Sequence, residues 1–361
     1  MADKAKIRAR AADLRAGFEA AGATVAETSV LQPAEVLLDL YGEDIRGRAY
    51  VTSDALLGEQ MLRPDFTVPV VQMHMAEGAE PARYTYSGEV FRRQEDDSSR
   101  ANEYTQVGYE VFDRQNPAAA DAEVFTLVRD AVAHLNLRAA TGDIGLLAAA
   151  VAGLETTERR KAALARHLWR PRRFRALLDR FAKPTPSDSH RAKLAASSDP
   201  FAEAGPMIGL RGADEIEARI AAIKEDTTAE PISAVQVDLI DELLNVRETL
   251  PYALDRLRDI AVDMPAISGA VTRLEHRIRA LSERGVDVEA LEFEASYGRT
   301  SMEYYDGFVF GFYSDQRGDL PAVASGGRYD ALTRVLGQGN EIPAVGGVIR
   351  PEVVLQLEGA V

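Results

Sequence analysis

Residues 91–110, FRRQEDDSSRANEYTQVGYE, decide the fold of this chain. A charged loop separates two segments, and apolar and polar residues alternate in the second with the period of a half-buried strand. One face of that strand carries Val107, Tyr109 and Val111, and the other carries Gln106 and Glu110. The pattern predicts a hairpin with Arg92, Gln106 and Glu110 on one face.

These three side chains together indicate a pocket that binds an amino acid. A guanidinium group such as that of Arg92 suits a carboxylate. The carboxamide of Gln106 and the carboxylate of Glu110 accept hydrogen bonds, as an ammonium group requires. The alternative is a solvated hairpin face with no ligand.

Three further segments carry recognisable motifs, one before the hairpin in the sequence and two after it. They are residues 63–67 (RPDFT), 303–308 (EYYDGF) and 326–330 (GGRYD). With the hairpin, which is similar to motif 2 of class II aminoacyl-tRNA synthetases, they resemble the histidyl-tRNA synthetase family over about residues 5–357. The resemblance implies an α+β fold, a class II aminoacyl-tRNA synthetase-like antiparallel sheet flanked by helices, with a helical insert.

The motif 2 loop departs from the family where the synthetase binds ATP. Gln94 replaces the Glu that contacts adenine, and the loop carries Glu95, Asp96 and Asp97, with only Arg100 left for a phosphate. Three clustered carboxylates repel a triphosphate.

Two later segments depart as well. The Gly-Leu-Glu-Arg that ends motif 3 is Arg-Pro-Glu-Val at residues 350–353, so that Val353 stands at the position of the catalytic arginine. Pro351 either disrupts the following helix or starts it afresh. The arginine of the histidine-specific loop falls on Thr300, with Arg299 one residue early. The resemblance therefore implies lost adenylation chemistry and no catalytic residue in this chain.

The end of the chain and its charge argue against a nucleic-acid partner. The sequence stops soon after the motif 3-like segment, where the synthetase continues into its anticodon-binding domain. Lys and Arg number 42 against 57 Asp and Glu, a net charge of −15, whereas proteins that bind polyanions usually present a basic face. Residues 159–175 are rich in arginine, which we interpret as a solvated or partner-facing helix surface.

A synthetase core without ATP chemistry resembles the ATP phosphoribosyltransferase regulatory subunits, which are paralogues of histidyl-tRNA synthetase. This resemblance implies a role in the first step of histidine biosynthesis. It implies a short-form catalytic subunit as the partner that carries the chemistry, and histidine as a feedback ligand. It also implies a homodimer within a hetero-oligomer, since class II cores usually dimerise through motif 1.

The family resemblance assigns each pocket residue a role. Asp65, Thr67 and Gln106 would meet the ammonium group of histidine, and Arg92 its carboxylate. Glu110 and Tyr305 would bind the two imidazole nitrogens, and Tyr304 and Tyr329 would wall the ring.

Structural alternatives remain for these residues. Asp65 would instead cap the next helix, and Arg92 and Glu110 would pair across the hairpin. Tyr304 and Tyr305 would alternate faces in a strand, so that only one lines the pocket.

Composition excludes several other kinds of site. The chain has no Cys, so disulfides, thiol nucleophiles and Cys-ligated metals are excluded, and a cytoplasmic location is expected. None of the five His residues forms a metal-spaced pair, and neither a metal nor a cofactor is expected. We find no signal peptide, and no run approaches the ~20 apolar residues of a membrane helix.

Hydrophobic period divides the chain into three segments. Residues 1–154 form the first part of the core, residues 155–285 a mainly helical insert, and residues 286–361 the rest of the core. Helices are predicted at residues 3–21, 67–74, 119–136 and 146–154. Strands are predicted at 48–52, 60–63, 83–92, 103–113, 286–291, 304–313 and 321–326.

Two other functions fit parts of the pattern. One is a ligase that activates histidine or a similar amino acid for a non-tRNA acceptor, against which Val353 speaks. The other is a tRNA-binding or stress-sensing module, against which the charge of −15 speaks.

Overall fold

The structure, a computed structural model, describes residues 3–41, 47–94, 101–186, 189–202, 205, 209–299 and 304–359. The predicted acidic loop at residues 95–100, together with Thr300 and Glu303, lies outside these residues. The helices are α1 (Lys4–Ala20), α2 (Ala34–Tyr41), α3 (Thr67–Glu77), α4 (Pro117–Ala131), α5 (Ile144–Ala152), α6 (Glu158–Ala165), α7 (Pro171–Phe181), α8 (His190–Ala196), α9 (Ala213–Thr228), α10 (Ala234–Leu244), α11 (Leu250–Asp263), α12 (Ser268–Glu283), α13 (Asp330–Leu336) and α14 (Pro351–Leu357). The strands are β1 (Thr24–Val25), β2 (Leu31–Pro33), β3 (Val51–Asp54), β4 (Gly58–Leu62), β5 (Ala82–Phe91), β6 (Glu103–Phe112), β7 (Arg138–Asp143), β8 (Arg247–Thr249), β9 (Glu292–Glu294), β10 (Phe308–Tyr313), β11 (Ala324–Arg328) and β12 (Ala344–Ile349).

One large sheet organises the described part of the chain. Its nine strands run in the order β1-β5-β6-β12-β11-β10-β7-β9-β8. The pairs β1–β5 and β7–β9 are parallel, and the other pairs are antiparallel. The predicted α+β class, with an antiparallel core flanked by helices, is confirmed.

The hairpin of β5 and β6 is confirmed over ten residue pairs, with Gly88 opposite Gln106 and Tyr84 opposite Glu110. Val107, Tyr109 and Val111 pack into the main core with α1 and α4. Glu110 and Gln106, on the other face, are also buried, at 1% and 2% exposure. The prediction of a half-buried strand is therefore wrong, because helices α1 and α4 cover one face of β6 and the side chains around Glu110 cover the other.

Helix starts follow local capping chemistry. Asp3 accepts a hydrogen bond from the Ala5 N–H before α1, and Asn116 accepts one from the Ala119 N–H before α4. Such side chains satisfy N–H groups that lack a partner inside the helix. Pro351 occupies the first turn of α14, so it starts that helix rather than disrupting it.

Residues 155–285 are mainly helical in the described ranges, with one short strand. That strand, β8, pairs with β9 at the edge of the sheet, and α12 packs against α4. The segment thus shares a core with the sheet, and the three-part division of the chain stays a prediction. The strand predicted at residues 286–291 is misplaced, since these residues turn and β9 begins at Glu292.

A second, three-stranded sheet has the order β2-β4-β3. Large apolar side chains are exposed on this sheet and at its β3–β4 turn: Val30, Leu31, Val51, Leu56 and Leu57. We call these five residues the apolar edge. Leu31 is 47% exposed and Leu56 is 95% exposed.

Candidate binding site

A cavity of about 250 Å³ opens on the face of the sheet that carries Glu110. All eight residues predicted for the pocket line it: Asp65, Thr67, Arg92, Gln106, Glu110, Tyr304, Tyr305 and Tyr329. They come from the turn before α3 and its first residue, the hairpin, the segment before β10 and the residue before α13. The cavity is smaller than the ~300–1,000 Å³ typical of drug-sized ligands, which suits a ligand as small as an amino acid.

Glu110 lies at the buried end of this cavity, where three hydroxyl groups donate to its carboxylate. Tyr329 donates to Oε2 at 2.5 Å, and Tyr86 and Thr67 donate to Oε1 at 2.8 and 3.2 Å. Burial raises the pKa of Glu110 to about 7, although the three hydroxyl groups act in the opposite direction. A carboxylate offers about four acceptor positions, so three donors leave room for about one more.

Tyr86 was not among the predicted site residues. Its ring occupies the space above Gly108, where a Cβ atom would lie 2.2 Å from the ring. Tyr86 stands opposite Gly108 in the hairpin, two residue pairs from Gly88–Gln106 and on the same face of the sheet. The hairpin register, once drawn, would have placed this hydroxyl group beside Glu110.

Asp65 joins the turn before α3 to the hairpin. Its Oδ1 accepts from the Val68 N–H at 3.3 Å, and its Oδ2 lies 3.6 Å from Arg92 Nη2. The capping alternative is thus observed, together with an orientation toward Arg92. The Arg92–Glu110 pair is not observed among the described contacts. Arg92 also donates from Nε to the Pro64 carbonyl at 2.7 Å.

Gln106 presents an acceptor without a donor. Its side chain is 2% exposed and lines the cavity. Within the described ranges, no donor satisfies its buried Oε1. A buried carbonyl oxygen without a partner costs free energy, so this atom favours a ligand with N–H groups.

The two tyrosines before β10 do not lie in a strand, as the sequence had predicted that they would. Tyr304 and Tyr305 lie outside the strand, which begins only at Phe308. Both therefore line the cavity, and the expectation that only one could do so is wrong. Tyr304 packs edge-on against Tyr305 and Tyr329, with ring centroids 5.0 and 6.1 Å away.

Four further polar residues line the cavity: Tyr297, Tyr313, Ser325 and Arg350. The hydroxyl groups of Tyr297 and Tyr313 lie 2.8 Å apart. Arg350 follows β12 and donates from Nη1 to the Ala322 carbonyl at 2.6 Å. Arg350 replaces the glycine of motif 3, and this replacement was the sequence feature that could have indicated a site residue. No role was assigned to Arg350 from the sequence.

The residues at the ATP-binding positions do not form an ATP site in the described part of the chain. Val353 is 6% exposed and belongs to the hydrophobic core. Arg299 donates to the Leu168 carbonyl at 2.8 Å and faces the Phe174 ring. It is not among the residues lining the cavity, so it does not supply the missing loop arginine there.

The described residues contain neither a membrane span nor a metal cluster. No described helix combines the length and apolar character needed to cross a membrane. In the same residues, His, Asp and Glu side chains form no group of three that could hold a metal ion.

Solved structures share this fold. A Bacillus halodurans protein described as an ATP phosphoribosyltransferase regulatory subunit/histidyl-tRNA synthetase superposes with a TM-score of 0.68 at 19% identity, over 99% of this chain and 81% of that chain. A histidyl-tRNA synthetase from a Nostoc species has a TM-score of 0.65 at 19% identity, over 99% of this chain and 73% of its own. The fold is therefore that of the class II synthetases.

Sequence comparison identifies the family. The family model for histidyl-tRNA synthetase matches residues 2–199 and 216–354. The ATP phosphoribosyltransferase regulatory subunit of Brucella ovis is 31% identical over 365 residues, covering 92% of this chain and 93% of that protein. The Brucella abortus protein of the same name is 31% identical, covering 92% of each chain. This chain belongs to the histidyl-tRNA synthetase family and, within it, to the ATP phosphoribosyltransferase regulatory subunits.

Proposed function

We propose that this chain is the non-catalytic regulatory subunit of ATP phosphoribosyltransferase, acting in the first step of histidine biosynthesis in the cytoplasm. One observation carries the proposal: the eight pocket residues surround a single cavity, while Val353 lies in the core where the synthetase has its catalytic arginine. A protein that retains the amino-acid pocket without the ATP contacts is suited to sensing an amino acid rather than activating it.

The proposed ligand is histidine. Asp65 Oδ2 and the buried Gln106 Oε1 are acceptors for its ammonium group. A neutral imidazole has one donor and one acceptor nitrogen. The remaining acceptor position of Glu110 and the Tyr305 hydroxyl group supply the complementary pair. The rings of Tyr304 and Tyr329 bound the cavity around the imidazole.

The proposed partner is the short-form catalytic subunit, which carries the chemistry. To test this, the purified partner is assayed for condensation of ATP with phosphoribosyl pyrophosphate, with and without this chain. We expect activity to rise when the chain is added, and to fall again on titration with histidine. Unchanged partner activity, together with two separately sedimenting species, would contradict the regulatory role whatever the pocket binds.

A further inference from the structure

We infer that Arg350 is the group that receives the ligand's carboxylate, so that the site selects free α-amino acids over their decarboxylated or reduced analogues. The inference rests on the proposed amino-acid pocket and deepens it. It changes the role expected for Arg92, which the family resemblance assigned to the carboxylate.

The two arginines of the pocket differ in what they already bind. Arg92 has Asp65 at 3.6 Å and donates to the Pro64 carbonyl. Arg350 is half-buried and donates to the Ala322 carbonyl. Within the described part of the chain, no carboxylate forms an ion pair with it. Because a guanidinium group has five N–H donors, the Ala322 contact leaves most of them for a ligand.

The charges in the pocket also favour an anion at Arg350. Among the described residues that line the cavity, two guanidinium groups face two carboxylates, Asp65 and Glu110. Asp65 is oriented to Arg92, and Glu110 accepts three hydroxyl groups. Burial lowers the pKa of Arg350, and repulsion from Arg92 acts in the same direction. A partly buried cation with no ion-pair partner among the described residues is costly, and a bound carboxylate would relieve that cost.

The sheet register places Arg350 beside an acceptor. The last pair between β12 and β6 is Ile349 with Val107, so the next positions in register are Arg350 and Gln106. Both side chains line the cavity. The positively charged guanidinium group of Arg350 thus belongs to the residue next to Gln106, whose buried Oε1 lacks a partner among the described residues. The carboxylate and ammonium groups of an α-amino acid sit on one carbon atom and require such a neighbouring pair.

Calorimetry with two ligands separates this role from a structural one. L-Histidine and L-histidinol share the ammonium group and the imidazole, but histidinol has a hydroxymethyl group in place of the carboxylate. We expect the parent chain to prefer histidine at least tenfold. Arg350→Met should weaken histidine binding at least tenfold and leave histidinol binding within about twofold. Arg350→Lys should recover part of the preference, because it restores the charge without the guanidinium geometry.

Arg92→Met serves as the matched variant from the same pocket. It should retain more of the preference for histidine over histidinol than Arg350→Met. If Arg350→Met weakens both ligands equally, or neither, Arg350 is not the carboxylate receptor. Loss of the preference in Arg92→Met alone would likewise overturn the Arg350 role. If Arg350→Met does not fold, as judged by its thermal unfolding, the preference measured for Arg350→Lys decides.

The outcomes also separate this inference from the proposed function. A parent chain that binds another free amino acid but not histidine contradicts histidine sensing, and the Arg350 comparison then uses that amino acid and its amino alcohol. A parent chain that binds none of the twenty amino acids in a thermal-shift screen overturns both histidine sensing and the role of Arg350 as carboxylate receptor. A parent chain that binds histidine and histidinol equally overturns the Arg350 role alone.

Discussion

Glu110 shows how one buried residue can organise a site before any ligand arrives. Its three hydroxyl partners come from α3, β5 and the residue before α13, so the carboxylate ties together distant parts of the chain. The hairpin pattern predicted Glu110 as a pocket residue, and the family resemblance implied that it binds the imidazole. Of the three hydroxyl partners, only Tyr86 follows from the register of the hairpin. Thr67 and Tyr329 could not be predicted, because only the tertiary fold brings them to Glu110.

Replacing Glu110 by Gln should weaken histidine binding by about 1–3 kcal/mol, because a charged hydrogen-bond acceptor becomes a neutral one. Calorimetry on both proteins gives the difference. Glu89→Gln, on the same hairpin but not lining the cavity, is the control and should bind like the parent chain. Equal affinity of Glu110→Gln and the parent would exclude Glu110 as a ligand contact.

Glu110 should also give the fold a pH dependence of known sign. The pKa of Glu110 is raised to about 7 in the folded protein by burial, above about 4.3 in an unfolded chain. The folded state therefore holds this proton more tightly, and Glu110 lowers the free energy of unfolding as pH rises from about 4.3 to about 7. Glu110→Gln should lose less stability than the parent between pH 5 and 8.

Denaturant unfolding at several pH values measures this difference. Burial raises the pKa of Asp306 to about 7 as well, so both proteins should lose stability with rising pH. That contribution cancels in the comparison. Parallel pH profiles for the two proteins would show that Glu110 does not titrate between pH 5 and 8.

At the scale of elements, sequence patterns correctly predicted the helices and strands whose formation depends on residues close together in the sequence. The hairpin, α1, α3 and α4 follow from period and caps, and they lie near their predicted positions. The predictions of burial and of strand boundaries failed where these depend on residues that are distant in the sequence and close in the fold. Strand β6 is buried on both faces because α1 and α4 pack on one face and the side chains around Glu110 pack on the other. Residues 304–305 precede strand β10 and do not belong to it. Arg350 entered the site through the register of β12, which no local pattern reveals.

The approach of β12 to β6 requires glycine at position 346. A Cβ atom there would lie 1.4 Å from Glu110 Oε2, and the carboxylate cannot move without breaking its hydrogen bonds. Gly346→Ala should therefore destabilise the fold by about 1–3 kcal/mol, as overpacking does, and should weaken histidine binding. Gly318→Ala is the control, since nothing lies within 4 Å of its added Cβ. Equal unfolding midpoints for the two variants would contradict this close packing.

At the scale of the whole molecule, the proposed function predicts a core that binds an amino acid without adenylating it. The purified chain should not exchange pyrophosphate into ATP with any amino acid. Loss of one preorganised contact to a developing charge costs about 2–4 kcal/mol of transition-state stabilisation. Gln94, the acidic loop and Val353 each remove such a contact. Isotope exchange measures this directly, with a histidyl-tRNA synthetase as positive control. Histidine-dependent exchange above background would favour the ligase function.

The apolar edge makes a prediction about assembly. In the family resemblance the proline of motif 1 falls on Ser29, next to Val30 of the apolar edge, and class II cores usually dimerise through motif 1. Exposed apolar patches mark interaction sites, and closed symmetry makes a dimer the simplest assembly. We expect a homodimer that recruits catalytic subunits into a larger hetero-oligomer.

Leu31→Asp tests this interface, because a charge buried there without a partner would oppose association. Sedimentation should show a dimer for the parent chain and a shift toward monomer for the variant. Val262→Asp is the matched control, since Val262 is 76% exposed at the end of α11, away from the small sheet, and this variant should remain dimeric. A parent chain that sediments as a monomer at micromolar concentration would contradict the homodimer. A Leu31→Asp variant that remains dimeric would instead place the interface on another surface, because the apolar edge would then be dispensable for association.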